Sequence, residues 1–401
     1  MPKIYPFRAL RPVPELASKV AALPYDVMNA DEAREMVQGN EYSFLHTDKA
    51  EIDLPAGINV YDDVVYAKAK DNLNKLIENK ILIQDESPRL YVYRLIRNGK
   101  PQTGIVACVS ANDYIENIIK KHEFTRADKE RDRIRHVETL NAQTGPIFLA
   151  HQNDENIKTA LCEITKTEPV YDFTAEDDVR HTIWIAPDNS IAGLYEALPA
   201  FYIADGHHRA AAAVKTAQNR NFEGESGIFL AVVFAAEELT ILDYNRLVKL
   251  PSGIDKQTLL IKLAEKFTIE KSLKEAKPTA RHTFGMYDGE WHTITLKDGI
   301  ADESDAVASL DVSVLQNEVL APLFGIDDPR TSKNVDFVGG IRGLAELSRR
   351  VDSGEFDVAF AMFPTSLNEL MSVADSGAVM PPKSTWFEPK LRSGLFIHTL
   401  S

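Results

Sequence analysis

Residues 201–213 read FYIADGHHRAAAA. An apolar run with strand character stops at Asp205-Gly206. Two histidines and an arginine follow, and four alanines then open a helix. The spacing predicts a strand over 201–204, a tight turn, a helix to about Gln218 and a second strand at 228–235 (IFLAVVFA). A helix N-terminus offers free backbone N–H groups and the positive end of its dipole, so it attracts anions. Gly206 permits positive φ and close approach of backbone, while Arg209 can hold a phosphate through two parallel hydrogen bonds. Alanines behind the turn keep the helix slim for packing on a sheet. The plainer reading makes Asp205 a helix cap with incidentally polar residues beside it.

Composition narrows the function classes. The chain has 401 residues, 44% hydrophobic and 26% charged, with a net charge of -15. This is an ordinary globular composition for roughly two to three domains. The acidic balance argues against binding an extended phosphate backbone, which needs a basic face. It leaves room for a local basic pocket suited to a small anion. The two cysteines, Cys108 and Cys162, form neither a disulfide framework nor a metal knuckle. Neither a leader's apolar segment nor a run of about 18 apolar residues occurs. These features together lead to the expectation of a cytoplasmic protein with no membrane and no nucleic-acid partner.

Outward from the turn, the elements alternate without repeats. Asn29 precedes ADEAREMV as a helix cap, with Gly39 as its stop. Val65, Ala69, Leu73, Leu76 and Ile77 mark one face of a helix ending near Lys80. Two strand-like runs flank Asn98-Gly99, a strong hairpin signal. Residues 126–143 read as a polar helix with only Ile134, Val137 and Leu140 as an apolar stripe, and 145–151 as a short buried strand. Beyond Pro251 come a helix at 255–266, a hairpin at 281–297, a segment at 311–325, and a helix capped by Ser366 and Glu369 that stops at Gly377. The fold class is α/β of mixed α+β type. Expected divisions are an N-terminal segment 1–88 packing on the core, a core 89–245, and a C-terminal α/β domain 246–401.

Three further clusters bear on chemistry. In IKKHEFTRADKERDRIRH (118–136), Glu123 precedes a basic helix. A carboxylate held ionised there would serve as a general base, but local sequence favours a solvated helix laced with ion pairs. In MPPKSTWFEPKLRSG (380–394), Lys383-Ser384-Thr385 resembles the end of a P-loop without its glycines, so a Walker reading fails. A rigid turn presenting an ammonium and two hydroxyls is left. Tyr25, Asp26, His46, Glu51 and Asp53 read as turn-stabilising loop residues. Adjacent His207 and His208 point to different sides of a helix, which argues against zinc.

Taken in order, PFRALRP, LPYDV, SFLH, KHEFTRADKERDR, GPIFL, ADGHHR and MPPKSTWFEPKLRSGL resemble a large prokaryotic family of unknown function, over nearly the whole chain. Its core is similar to the ParB/sulfiredoxin-like fold, in which a turn of this type holds nucleotide phosphates. Asp-Gly-His-His-Arg is the form found in free-serine kinases, which make O-phospho-L-serine. The resemblance implies that Gly206, His207, His208 and Arg209 cradle phosphates, that Asp205 orients a metal or the serine, and that Glu123 takes the hydroxyl proton. It further implies phosphate or amino-acid ligands in Lys383, Ser384 and Thr385, Mg²⁺ as cofactor, ATP or ADP as donor, and L-serine as acceptor. Sulfinic-acid reduction is excluded because His207 stands where sulfiredoxin has its cysteine. The alternatives are a non-catalytic nucleotide sensor and a kinase of another small hydroxylated metabolite.

Overall fold

A computed structural model describes residues 1–401. The chain divides into two compact units, Met1–Leu239 together with Pro389–Ser401, and Thr240–Glu388. The line expected at 246 falls at 240, and the last residues of the chain belong to the first unit. Residues 1–88 and 89–239 share that unit.

The first unit is organised by a nine-stranded mixed sheet. The Asn98-Gly99 hairpin forms as expected, both residues taking positive φ between strands Tyr91–Arg97 and Lys100–Ser110. Strand Phe201–Asp205 and strand Ile228–Ala235 share this sheet but do not pair with each other. Strand Ile147–His151 lies between them, antiparallel to the first and parallel to the second. The pairing with Ile147–His151 shifts register between Ile203 and Asp205. Such a bulge bends the strand and re-aims the residues that follow. A second, four-stranded sheet joins Leu82–Gln84, Ala9–Pro12, Ile397–Thr399 and Ala142–Gln143, which binds the C-terminus into this unit.

Helix His207–Asn219 buries Ala210, Ala211, Ala212, Ala213 and Ala217. Ala210, Ala213, Val214 and Ala217 join the sheet core with Ile147, Leu149, Ile203 and Val233. The remaining face packs against helix Ala127–Leu140. The alanines are therefore needed on two sides, for the sheet below and for a second helix beside it. Helix Ala127–Leu140 departs from its expected solvated character. Asp132, Arg133 and His136 are buried with Val137 and Leu140, whereas Ile134 is only half-buried. Polar groups can occupy a buried face when each finds a partner.

The second unit carries a six-stranded antiparallel sheet, in the order Phe267–Ser272, Trp291–Leu296, Thr283–Tyr287, Val358–Ala361, Tyr244–Val248, Val335–Gly339. Its helix Leu367–Asp375 begins with the expected Ser366–Glu369 capping box. No helix of the protein is long and apolar enough to cross a membrane.

Candidate active site

The site is built on the turn between strand Phe201–Asp205 and helix His207–Asn219. Gly206 takes φ 92°, ψ 30°, a conformation that side chains other than glycine's resist. A Cβ there would lie 3.1 Å from the Arg209 guanidinium carbon. Glycine thus supplies both the backbone turn and the space over which the guanidinium folds back. The first intrahelical bond runs from the Ala210 N–H to the Gly206 carbonyl. The N–H groups of His207, His208 and Arg209 precede it and have no acceptor in the chain.

Asp205 anchors the turn. Its Oδ1 accepts from the Gly206 N–H at 2.9 Å, and its Oδ2 lies 3.1 Å from Lys390 Nζ and 3.9 Å from Arg209 Nη2. Burial alone would raise the Asp205 pKa, but Lys390 and Arg209 outweigh it and hold the carboxyl well below its usual range. Arg209 also donates from Nη1 to the Pro146 carbonyl at 2.6 Å, while its Nε is buried without an acceptor. Burial opposes the Arg209 charge, yet Asp26, Asp205, Tyr25 and Asp48 raise its pKa further.

The two histidines of the turn have different duties. His208 Nε2 accepts from the backbone N–H of Arg126 at 3.0 Å, which places its own proton on Nδ1 and fixes the start of helix Ala127–Leu140. His207 is buried, with Nδ1 3.6 Å from Glu123 Oε2. Its ring meets His122 edge to face at a centroid distance of 4.5 Å. Burial, then the neighbouring His122, push the His207 pKa well below its usual value. Burial likewise takes His122 down to about 4. Both imidazoles are neutral at pH 7, and both His122 nitrogens and His207 Nε2 are buried without hydrogen-bond partners. The Glu123 side chain is 46% exposed.

On the Arg209 side of the helix, a cavity opens between helices Ala127–Leu140 and His207–Asn219. Tyr25, Asp48, Arg133, His136, Gly145 and Ser393 line it together with Arg209. Arg133 pairs with Asp132 at 2.8 Å and lies over the Tyr25 ring, 3.9 Å from its centroid. Asp132 also accepts from the Tyr66 hydroxyl at 2.7 Å. Asp48 Oδ1 accepts from Thr144 Oγ1 at 2.7 Å. Burial, then the Arg133 charge, bring His136 down to about 4.

The expected site residues fall in both units. Asp205, Gly206, His207, His208, Arg209 and Glu123 come together at the helix mouth. Lys383, Ser384 and Thr385 belong to the second unit. Lys383 takes φ 58° and holds its ammonium 5.3 Å from the Tyr244 ring centroid, and the Ser384 hydroxyl donates to the Pro381 carbonyl at 2.6 Å. Lys390 and Arg209 face Asp205 Oδ2, and the Gly206 N–H holds its Oδ1. No cluster of three His, Cys, Asp or Glu side chains suits a metal ion.

No local pattern in the sequence marks Tyr25, Asp48, Arg133, His136, Lys390 or Ser393 as site residues. Tyr25 read as a turn residue and Arg133 as part of a solvated helix. Lys390 carried the one usable signal, a cation beside Arg392 in an acidic chain.

The fold and turn define a mixed α/β protein with an anion-receptive helix mouth. The chain belongs to a family described as protein of unknown function (DUF1015), whose model matches residues 4–313. No curated protein matches it in sequence. Among solved structures it is similar to a free serine kinase in complex with AMP, at 14% identity over 74% of this chain and 92% of that one, with a TM-score of 0.35. It is similar to a conserved hypothetical protein from Pyrococcus furiosus, at 15% identity over 73% and 95%, TM-score 0.36. It is also similar to SbnI with a C-terminal truncation from Staphylococcus aureus, at 14% identity over 73% and 87%, TM-score 0.40. Likeness at this level says nothing of this chain's chemistry.

Proposed function

We propose that the protein is a small-molecule kinase that transfers a phosphoryl group from ATP or ADP to the hydroxyl of free L-serine, giving O-phospho-L-serine. The observation that carries this reading is the pairing at one helix mouth of three free backbone N–H groups and Arg209 with a partly exposed carboxylate, Glu123, 3.6 Å from a buried neutral histidine. Anion donors fixed in place are what a transferring phosphoryl group requires, and a nearby carboxylate is what an acceptor hydroxyl requires.

In this mechanism the N–H groups of His207, His208 and Arg209 hold the phosphate oxygens, with the Arg209 guanidinium opposing their charge. Glu123 accepts the proton of the serine hydroxyl as its oxygen bonds to phosphorus. The bond from phosphorus to the leaving nucleotide oxygen breaks, and its electron pair stays with the nucleotide. Asp205 holds Arg209 and Lys390 in place and takes no part in proton transfer.

A phosphorus NMR assay tests the reading, with Mg²⁺, L-serine and ATP, ADP or CTP in turn. A phosphoserine resonance with one donor is the expected result. No serine-dependent product with any donor overturns the serine assignment, and a product from another hydroxylated metabolite would move the acceptor.

A further inference from the structure

The segment between strand Ile119–Lys120 and helix Ala127–Leu140 carries an apolar ring that the fold leaves in water. Phe124 is 72% exposed, and no aromatic ring or cation packs against it. Every other phenylalanine and every tryptophan is buried or half-buried. Burying a phenyl is among the larger single gains open to a chain, and this ring forgoes it. A lone apolar side chain on a surface needs no explanation by itself. The place of this one does.

That place is fixed from both sides by the two histidines of the turn. One residue before Phe124, Glu123 lies 3.6 Å from His207 Nδ1. Two residues before it, His122 meets the His207 ring at a centroid distance of 4.5 Å. Two residues after it, the Arg126 N–H donates to His208 Nε2 at 3.0 Å. Between them, the Thr125 hydroxyl donates to Glu130 at 3.0 Å and ties the segment to its own helix. A chain advances at most about 3.6 Å per residue, so the Phe124 Cα lies within about 7 Å of the Arg126 Cα. The exposed ring therefore stands on a tethered segment beside the mouth of helix His207–Asn219.

We infer that Phe124 is the platform on which the nucleobase of the phosphoryl donor stacks. The inference rests on the kinase reading and assigns a partner to the part of the donor that the turn does not hold. The phosphates take the N–H groups of His207, His208 and Arg209, and the acceptor serine has no flat apolar face to offer a phenyl. A base has one. Stacking uses the π-face that all bases share and needs no hydrogen bond to a base edge. Selection among donors at this contact then follows ring area, with purines ahead of pyrimidines.

Calorimetric titration of the whole protein with Mg²⁺ present tests this, using ADP, CDP and inorganic pyrophosphate. The parent is expected to bind ADP more tightly than CDP, and both more tightly than pyrophosphate. Phe124→Ala is expected to weaken ADP by about tenfold and to leave pyrophosphate within about twofold. Its melting temperature should match the parent's, since the ring touches water rather than core. Phe124→Trp should keep the ADP affinity, and its exposed indole should be quenched by ADP and not by pyrophosphate. Unchanged ADP affinity in Phe124→Ala, or an equal loss for ADP and pyrophosphate, overturns the platform. Unchanged affinity together with phosphoserine formation removes the platform and keeps the kinase reading. A loss confined to the nucleotides, with no phosphoserine formed, keeps the platform and removes the kinase reading. Failure of the parent to bind any of the three ligands overturns both.

Discussion

Lys390 Nζ lies 3.1 Å from Asp205 Oδ2, across 185 residues of chain. The contact fastens the C-terminal segment 389–401 to the Asp205-Gly206 turn within one unit. Lys390→Met is expected to lower stability by about 1–2 kcal/mol, a discounted value because the Asp205 side chain is 30% exposed. Denaturant midpoints at pH 7 check it. The Asp205 contribution has a defined sign. Its folded pKa is depressed, so its stabilisation is present above the ordinary carboxylate range and is lost as pH falls below it.

Glu123→Gln separates binding from turnover. The amide keeps the shape of the side chain but cannot accept the hydroxyl proton. Nucleotide affinity should stay near that of the parent, and turnover should fall by about 10²-fold or more. Arg209→Ala should lose nucleotide binding and turnover together. Equal loss of binding in both variants would remove Glu123 from the role of base.

Gly206→Ala acts on geometry alone. The residue would carry a Cβ at φ 92° and press it to 3.1 Å from the Arg209 guanidinium. We expect a destabilisation of about 1–3 kcal/mol and weaker phosphate binding. The two effects are read by thermal melting and by nucleotide titration. A variant with the parent's melting temperature would show that the turn does not need glycine.

Acid should loosen the first unit before its carboxylates titrate. His122 has a folded pKa of about 4, below the ordinary histidine value of 6.5. Above pH 6.5 both folded and unfolded forms are neutral, and the group contributes nothing. Below it the unfolded chain binds the proton first, so stability falls between pH 6.5 and 4, by about 3 kcal/mol for this group. His136, His181 and His207 shift in the same direction. Hydrogen exchange in the nine-stranded sheet follows this unit by itself. Asp311 of the second unit shifts oppositely, raised by burial to about 6. Protection that stays flat from pH 7 to 5 would contradict the expectation.

Local chemistry made much of this protein legible from its residues. Asn98-Gly99 takes positive φ at both positions, a conformation that forces a hairpin. Asn29 and Ser366 each close a capping box with the acid three residues on. The Asp-Gly-His-His-Arg turn lies at a strand end and helix start because glycine permits the bend. These features depend on neighbours a few residues away, so the sequence by itself determined them.

Tertiary structure alone decided the rest. Helix Ala127–Leu140 turns Asp132, Arg133 and His136 inward because Tyr66, Tyr25 and Thr47 meet them there. Those partners come from distant parts of the chain, and without them the same residues belong in water. The strand between Phe201–Asp205 and Ile228–Ala235, the Lys390 anchor and the cavity beside Arg209 have the same origin. A buried charge is tolerated only where long-range folding brings a partner to it, and no local pattern records where that partner will come from.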